Sequence, residues 1–395
     1  MAGQKKQYVA VGMMSGTSMD GIDIALIRTN GKSRLERGPS TLVPYKAGFR
    51  KKLVKALEEA KAIRQRDERP GKLAKLEDEI AERHVTALQD FLASRNLRLS
   101  DVDVLGMHGQ TVLHRPDLGF TVQLGDADTV ASQTGIPVIH DLRANDMEHG
   151  GQGAPLAPVY HRALARNLPE EYAGKWPAAF VNIGGIANIT WITEEGGMIA
   201  FDTGPGNALI DQWVEREGGV PYDQDGMISG EGKVAKRLAN KLLKHPYFEA
   251  EAPKSLDRGD FKLPEPGWAS LEDGARTLAH VTAAAIAEAC EHLPERPKLW
   301  VICGGGRKNA SIMDDLHKLI AEGDDPDKPS TVITAEDAGF DGDMVEAEAW
   351  AYLAVRSLRE LKITWPHTTG VDKAITGGKL AIPVREDSSA SATGK

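Results

Sequence analysis

Residues 196–207 read Gly-Gly-Met-Ile-Ala-Phe-Asp-Thr-Gly-Pro-Gly-Asn. Met198 to Phe201 is a short apolar run that stops at Asp202, and a loop with two glycines and a proline follows. Behind it, Ala208-Leu209-Ile210-Asp211-Gln212-Trp213-Val214 is patterned as a helix. An acid at the mouth of a strand, then Gly-x-Gly and a helix start, suits phosphate chemistry. Gly204 and Gly206 let backbone N–H groups approach an anion, and a helix N-terminus favours negative charge. Asp202 then stands beside the phosphate as a base. The competing reading is a plain strand-to-helix turn with Asp202 as its cap.

The rest of the chain supplies company for this stretch. Residues 8–28 read strand, turn, strand, and the turn Ser15-Gly16-Thr17-Ser18-Met19-Asp20-Gly21 carries hydroxyls, an acid and an Asp-Gly pair. That is a hairpin signal and also a donor set able to wrap a phosphate. Residues 178–192 repeat the pattern around Gly184-Gly185, so each half opens on a glycine-turn hairpin, as a duplicated domain would. Later, the buried-strand pattern Leu299 to Cys303 runs into Gly304-Gly305-Gly306 and a helix from Ser311 to Leu319. Bare backbone there suits a nucleotide base or ribose pressed against it.

Residues 47–97 have helical spacing, broken by the charged connection 64–72. Val102 to Met107 forms a strand that delivers His108-Gly109-Gln110-Thr111 to its carboxyl end, where open α/β sheets bind ligands. Further short strands are expected at 120–126 and 137–141. The loop 145–158 holds glycines, prolines, Asp146, Glu148 and Gln152, and is a candidate domain junction. Residues 208–250 read as largely helical, 253–264 as irregular, and 271–293 as an amphipathic helix. In the helix expected at 344–361, Glu346 falls in the first turn, where a carboxylate either caps the dipole or points into a cleft.

At 395 residues, two domains are the prior. A net charge of −9 without a basic stripe disfavours a nucleic-acid surface. Cys290 and Cys303 lack metal-ligand spacing and suit a reducing cytoplasm. The N-terminal apolar run is too short for a signal peptide, and no stretch approaches the roughly 20 apolar residues of a membrane helix. A soluble cytoplasmic protein is expected. Three glycine-bearing strand ends, at 12–23, 202–207 and 303–309, fit a two-domain ATP-binding cleft. The chain has no Gly-x-x-x-x-Gly-Lys-Ser/Thr and no protein-kinase loop, which leaves the sugar-kinase, actin and chaperone architecture.

Six motifs then become specific. Gly-Thr-Ser-Met-Asp-Gly-Ile-Asp (16–23), His-Gly-Gln-Thr (108–111), Gly-Gly-Gln-Gly-Ala-Pro-Leu (150–156), Asn-Ile-Gly-Gly-Ile-Ala-Asn (182–188), Phe-Asp-Thr-Gly-Pro-Gly-Asn (201–207) and Cys-Gly-Gly-Gly-Arg-Lys-Asn (303–309) follow in order over nearly the whole chain. In these the sequence resembles the anhydro-N-acetylmuramic acid kinase family. The family's usual Asp-Phe-Arg reads Asp141-Leu142-Arg143 here, and the tail after Val384 has no counterpart.

The resemblance implies an α/β fold of the two-domain actin-like ATPase class with an interdomain cleft. The first domain is expected at 1–143 plus 345–385, the second at 144–344, and a disordered tail at 386–395. It further implies ATP and magnesium as cofactors, and phosphorylation at O6 of 1,6-anhydro-N-acetylmuramic acid with opening of the anhydro bridge. Asp202 becomes the general base. Gly16, Thr17, Ser18, Asp20, Gly21 and Asp23, with Gly204 and Gly206, are expected at the phosphates, and Gly304, Gly305 and Gly306 at the adenosine. Asp20 or Asp23 reaches the metal. His108, Arg143 and Glu346 are the sugar-side candidates. Hinge closure, a homodimer, and neither nucleic-acid nor membrane partners are expected. A levoglucosan-type kinase shares these motifs, and a catalytically silent ATP-binding regulator would share the fold.

Overall fold

The strand Tyr8–Ser15 (β1) is the spine of the first sheet, and six of its eight residues are buried. Such a run, apolar on both faces, belongs in the middle of a covered sheet. Gly21–Thr29 (β2) pairs antiparallel with it, from Tyr8 opposite Thr29 to Met14 opposite Asp23. Leu35–Pro44 (β3) lies antiparallel to β2 at the edge. On the other side, Val104–Arg115 (β4) runs parallel to β1. Phe120–Leu124 (β5) folds back on the second half of β4, and Val138–His140 (β6) runs parallel to its first half. A late strand, Lys379–Ala381, closes the edge against β6.

We describe residues 7–16, 18–256, 259–325 and 329–384 of a computed structural model. Thr17 and the tail 386–395 lie outside the described residues. The chain divides into two units: 1–153 with 346–364 and 371–395, and 154–345 with 365–370. The division comes at Gly153, not at the expected 143: the helix Ala144–Glu148 stays with the first unit, where its Asn145 side chain donates to the Thr376 carbonyl at 2.6 Å.

In the first unit, the helices Ala47–Ala60 and Leu73–Ser94 bury one stripe each on the sheet, through Phe49, Leu53, Ile80, Leu88 and Phe91. Each such side chain contributes about 1.5–3 kcal/mol relative to exposure. The other face meets the helix Val345–Leu358. Contact there is backbone to backbone. A Cβ on Gly12 would stand 1.8 Å from the Ala347 carbonyl oxygen, and one on Gly106 would stand 2.2 Å from that of Trp350. Only glycine lets the helix sit this low.

The second unit repeats the plan. Ala178–Ile183 (β7), Ile186–Ile192 (β8) and Met198–Pro205 (β9) form an antiparallel meander. Leu299–Cys303 (β10) runs parallel to β7, and Thr331–Thr334 (β11) parallel to β10. The order β3-β2-β1-β4-β6 in one sheet is thus matched by β9-β8-β7-β10-β11 in the other. The helix Leu271–Glu288, capped by Ser270, covers this sheet through Leu278, Ile286 and a row of alanines. Beside it lies the helix Asn207–Gly218, whose Trp213 sits fully buried where Gly274 leaves no Cβ in its way.

Candidate active site

In the second unit the site is built around Asp202. Between β8 and β9 the pairing slips: Ala187 faces Gly204 and Asn188 faces Asp202, so Thr203 is an extra residue. A bulge of this kind re-aims the neighbouring side chain. Asp202 is then held at three points. Its N–H donates to the Lys254 carbonyl at 3.0 Å. Its own carbonyl accepts from the Tyr247 hydroxyl at 2.5 Å. Its Oδ2 accepts from the Leu256 N–H at 2.9 Å. Burial pushes the carboxyl up to about 7, and the Leu256 bond pulls the other way. A carboxyl at that value divides between base and acid near neutral pH.

The Gly-Pro-Gly loop does something other than the sequence suggests. The N–H groups of Gly206 and Ala208 donate to the Gly185 carbonyl, and that of Asn207 to the Gly184 carbonyl. The first amides of this helix are therefore engaged with the β7–β8 turn rather than open to an anion. A Cβ on Gly206 would stand 2.2 Å from the Gly184 oxygen, and one on Gly204 would stand 2.9 Å from the Ala285 methyl. Both glycines serve close packing: of the β9 end on the β7–β8 turn, and of β9 on the helix Leu271–Glu288.

The triple glycine divides by role. Gly304 has φ +74°, a conformation that favours glycine. A Cβ on Gly306 would stand 2.2 Å from the Ile183 side chain, so this residue is packed down on β7. Gly305 is exposed, and a Cβ there would meet only the Asn207 amide at 3.5 Å. Of the three, Gly305 presents the open face suited to an adenosine. Buried Arg307 staples the loop. It donates to the Gly304 carbonyl, to Asp343 at 2.7 Å and to Glu336 at 2.6 Å.

In the first unit the β1–β2 turn is organised by short bonds. Met19, at φ +53°, donates to the Gly16 carbonyl and tucks its side chain inward. Ser18 donates to Asp20 at 2.6 Å, and both stay exposed. Buried Gln110, from the His-Gly-Gln-Thr motif, accepts from Ser15 and donates to the Gly16 carbonyl, which fixes the turn on β4. Gly21 is packed against β3, where a Cβ would meet the Val43 carbonyl at 2.5 Å. Asp23 lies further along β2, half-buried opposite Met14. Among the described residues no cluster of three or more His, Cys, Asp or Glu could hold a metal.

The same unit brings the sugar-side candidates together. His108 is buried, with Nδ1 at 2.8 Å from the Gly109 carbonyl; Nε2 accepts from the Arg143 guanidinium at 3.2 Å. Burial, then the Arg143 charge, holds the imidazole down to about 3, so it is neutral. Arg143 also donates to the Gly153 carbonyl at 2.8 Å, and its buried Nε has no partner among the described residues. Glu346 keeps solvent contact, yet the surrounding protein pushes its carboxyl up, with Arg143 opposing. Trp350, which the sequence reading did not single out, lies under this group. Its ring is 4.7 Å from His108 and 5.5 Å from the Arg143 guanidinium carbon, and its Nε1 donates to Met14 Sδ. Leu142, the departure from Asp-Phe-Arg, is buried against Gly377 and Gly378 and belongs to the core.

Tyr247, Lys254 and Leu256 also went unmarked: Tyr247 falls at the end of the stretch read as largely helical, Lys254 and Leu256 in the stretch read as irregular, and none belongs to a motif. Among the described residues no helix is long and apolar enough to cross a membrane.

A family model described as anhydro-N-acetylmuramic acid kinase matches residues 7–382. The anhydro-N-acetylmuramic acid kinase of Rhizobium etli is 55% identical over 374 residues, 95% of this chain and 98% of its own. That of Agrobacterium fabrum is 53% identical over 371 residues, 94% of this chain and 98% of its own. Among solved structures, the activator of the 2-hydroxyisocaproyl-CoA dehydratase from Clostridium difficile, with bound ADPNP, aligns at a TM-score of 0.44. It is 11% identical and covers 89% of this chain and 96% of its own. With the family model spanning both units and the relatives matched end to end, this chain belongs to the anhydro-N-acetylmuramic acid kinase family.

Proposed function

We propose that this chain transfers the γ-phosphoryl group of ATP to O6 of 1,6-anhydro-N-acetylmuramic acid while water opens the bridge at C1. The products are N-acetylmuramic acid 6-phosphate and ADP, as peptidoglycan recycling requires. The observation that carries the reading is Asp202, whose Oδ2 is fixed by the Leu256 N–H and whose Oδ1 has no bond among the described residues. Water attacks C1 and gives its proton to Asp202 Oδ1. The C1–O6 bond breaks, and O6 takes the phosphoryl group, so no separate acid has to protonate it. With a carboxyl near 7, the base can also release that proton at neutral pH.

Arg143 is the sugar's anionic anchor. The lactyl carboxylate of the muramic compound calls for a planar two-donor partner, and the unpartnered Nε–H supplies one of the two donors. Neutral His108 and the Trp350 ring hold the guanidinium in place. Ser18 and Asp20 at the β1–β2 turn face the phosphates, and Gly305 faces the adenosine. Magnesium would be held with the phosphates by Asp20 or Asp23, neutralising their charge. A homodimer in the cytoplasm belongs to the same reading and rests on the family resemblance.

The test is ATP turnover with 1,6-anhydro-N-acetylmuramic acid beside levoglucosan, for the wild type and Asp202→Asn. Turnover of the muramic sugar, lost in the variant, supports substrate and base together. Turnover of levoglucosan alone keeps the base and overturns the substrate. No turnover of either overturns the kinase reading.

A further inference from the structure

Three separate hydrogen bonds run from one short segment, residues 247–256, to the single residue Asp202. Tyr247 holds its carbonyl, Lys254 its amide and Leu256 its carboxylate. The segment has no regular secondary structure after the turn Pro246–Glu249, so something must keep it in shape. That something is the Lys254 ammonium. It is buried, it donates to the Tyr247 carbonyl at 3.1 Å and the Phe248 carbonyl at 3.2 Å, and it stands 3.0 Å from His292 Nε2, which is itself 2.9 Å from the Phe248 carbonyl. It also stands 4.9 Å from the centre of the Tyr247 ring and 5.7 Å from that of Phe201, the residue before Asp202. One cation thus ties the two ends of the segment to each other, to the helix end that carries His292 and to the strand that carries Asp202.

We propose that Lys254 and Tyr247 are positioning residues for the reaction: they lock the 247–256 segment as a brace that holds the Asp202 carboxylate in its attacking geometry. The proposal rests on Asp202 being the base. Lys254 acts through the backbone and not as a counter-charge, since its partners are carbonyls, aromatic faces and His292. The brace matters because a general base has to meet a water molecule and a sugar carbon together, and a small displacement costs much of the rate. Pinning Oδ2 on the Leu256 amide leaves Oδ1 as the oxygen that receives the proton. A side chain free to rotate would exchange the two.

The experiment compares Tyr247→Phe, Lys254→Met, Lys254→Arg and Asp202→Asn by steady-state kinetics with ATP and 1,6-anhydro-N-acetylmuramic acid, together with thermal midpoints. Tyr247→Phe removes one oxygen and keeps the ring, so it tests the brace even where Lys254→Met melts early. The expected result is a kcat at least tenfold lower in Tyr247→Phe and Lys254→Met. Both KM values stay within twofold of wild type, and Lys254→Arg recovers part of the loss. A kcat within twofold of wild type in Tyr247→Phe, or a loss that falls on KM instead, overturns the brace. If Asp202→Asn itself keeps wild-type turnover, the base assignment fails and the brace with it. An inactive Asp202→Asn beside a fully active Tyr247→Phe overturns the brace alone.

Discussion

Replacing Asp202 with asparagine should destroy activity and stabilise the protein, and the stabilisation should depend on pH. The folded-state carboxyl is pushed from 3.8 to about 7, chiefly by burial. A carboxyl whose folded value lies above its unfolded value binds its proton more tightly in the native state. Folding is therefore most favoured, as far as this group goes, below its unfolded pKa. Stability is lost as pH rises from about 4 to about 7 and is level above that. Asparagine cannot ionise and escapes the loss. A shift of about three units corresponds to an upper bound of about 4 kcal/mol at high pH, at 1.36 kcal/mol per unit.

Part of that is offset, because the new amide N–H atoms need partners, at about 1–3 kcal/mol. That cost does not vary with pH, so the pH-dependent part of the difference is the clean signal. Between pH 5 and pH 8 the advantage of Asp202→Asn over wild type should grow by about 2–3 kcal/mol. The Leu256 N–H keeps an acceptor in the amide oxygen, so the fold should survive the change. The assay is ligand-free denaturation of both proteins at pH 5, 6, 7 and 8, with kcat measured beside it. Loss of a general base should cost about 10²–10⁴ in rate. An advantage that is the same at every pH, or is absent at pH 8, would refute the raised carboxyl.

The remaining expectations follow from the same geometry. Wild-type kcat should fall about tenfold per pH unit below pH 6, where the base is protonated, a limb an ordinary aspartate would show only near pH 4. Gly306→Ala should destabilise the protein by about 1–3 kcal/mol, because its Cβ would overlap Ile183, whereas Gly305→Ala should leave the thermal midpoint alone and raise only the KM for ATP. Arg143→Lys should raise the sugar KM at least about tenfold with little change for ATP, since a lysine cannot offer two coplanar donors to a carboxylate. Equal KM increases for both substrates would argue against Arg143 as the sugar anchor.

How much of this could be read in the chain depended on whether a residue announced itself locally. The buried strands β1, β4, β7 and β10 are apolar runs of ordinary strand length that end in glycine-rich polar turns, so they could be placed before the structure was seen. β3 could not. It reads Leu-Glu-Arg-Gly-Pro-Ser-Thr-Leu-Val-Pro, and as an edge strand it tolerates the proline and the polar residues that argue against a central one. Asp202, His108 and Arg143 stood out because each follows a recognisable strand. Tyr247, Lys254 and Trp350 did not, for their importance lies in what they touch from far along the chain. Gly204 and Gly206 teach the reverse lesson. A glycine pair before a helix suggests an anion, but here the helix amides bond to Gly184 and Gly185, and the small residues let two backbones meet.

The seating of the helix Val345–Leu358 on Gly12 and Gly106 bears on how the protein is made. The strand β1 cannot complete its packing until a segment more than 300 residues later has emerged from the ribosome. At about 5–20 residues per second that interval is tens of seconds, during which one face of the first sheet has no cover. Most of the second unit, residues 154–345, is by contrast synthesised within that wait, and only its 365–370 piece comes later. A nascent chain of this family therefore matures from the middle outward. A stop codon just before residue 345 would release a protein whose second unit is nearly whole and whose first sheet lacks the cover of this helix.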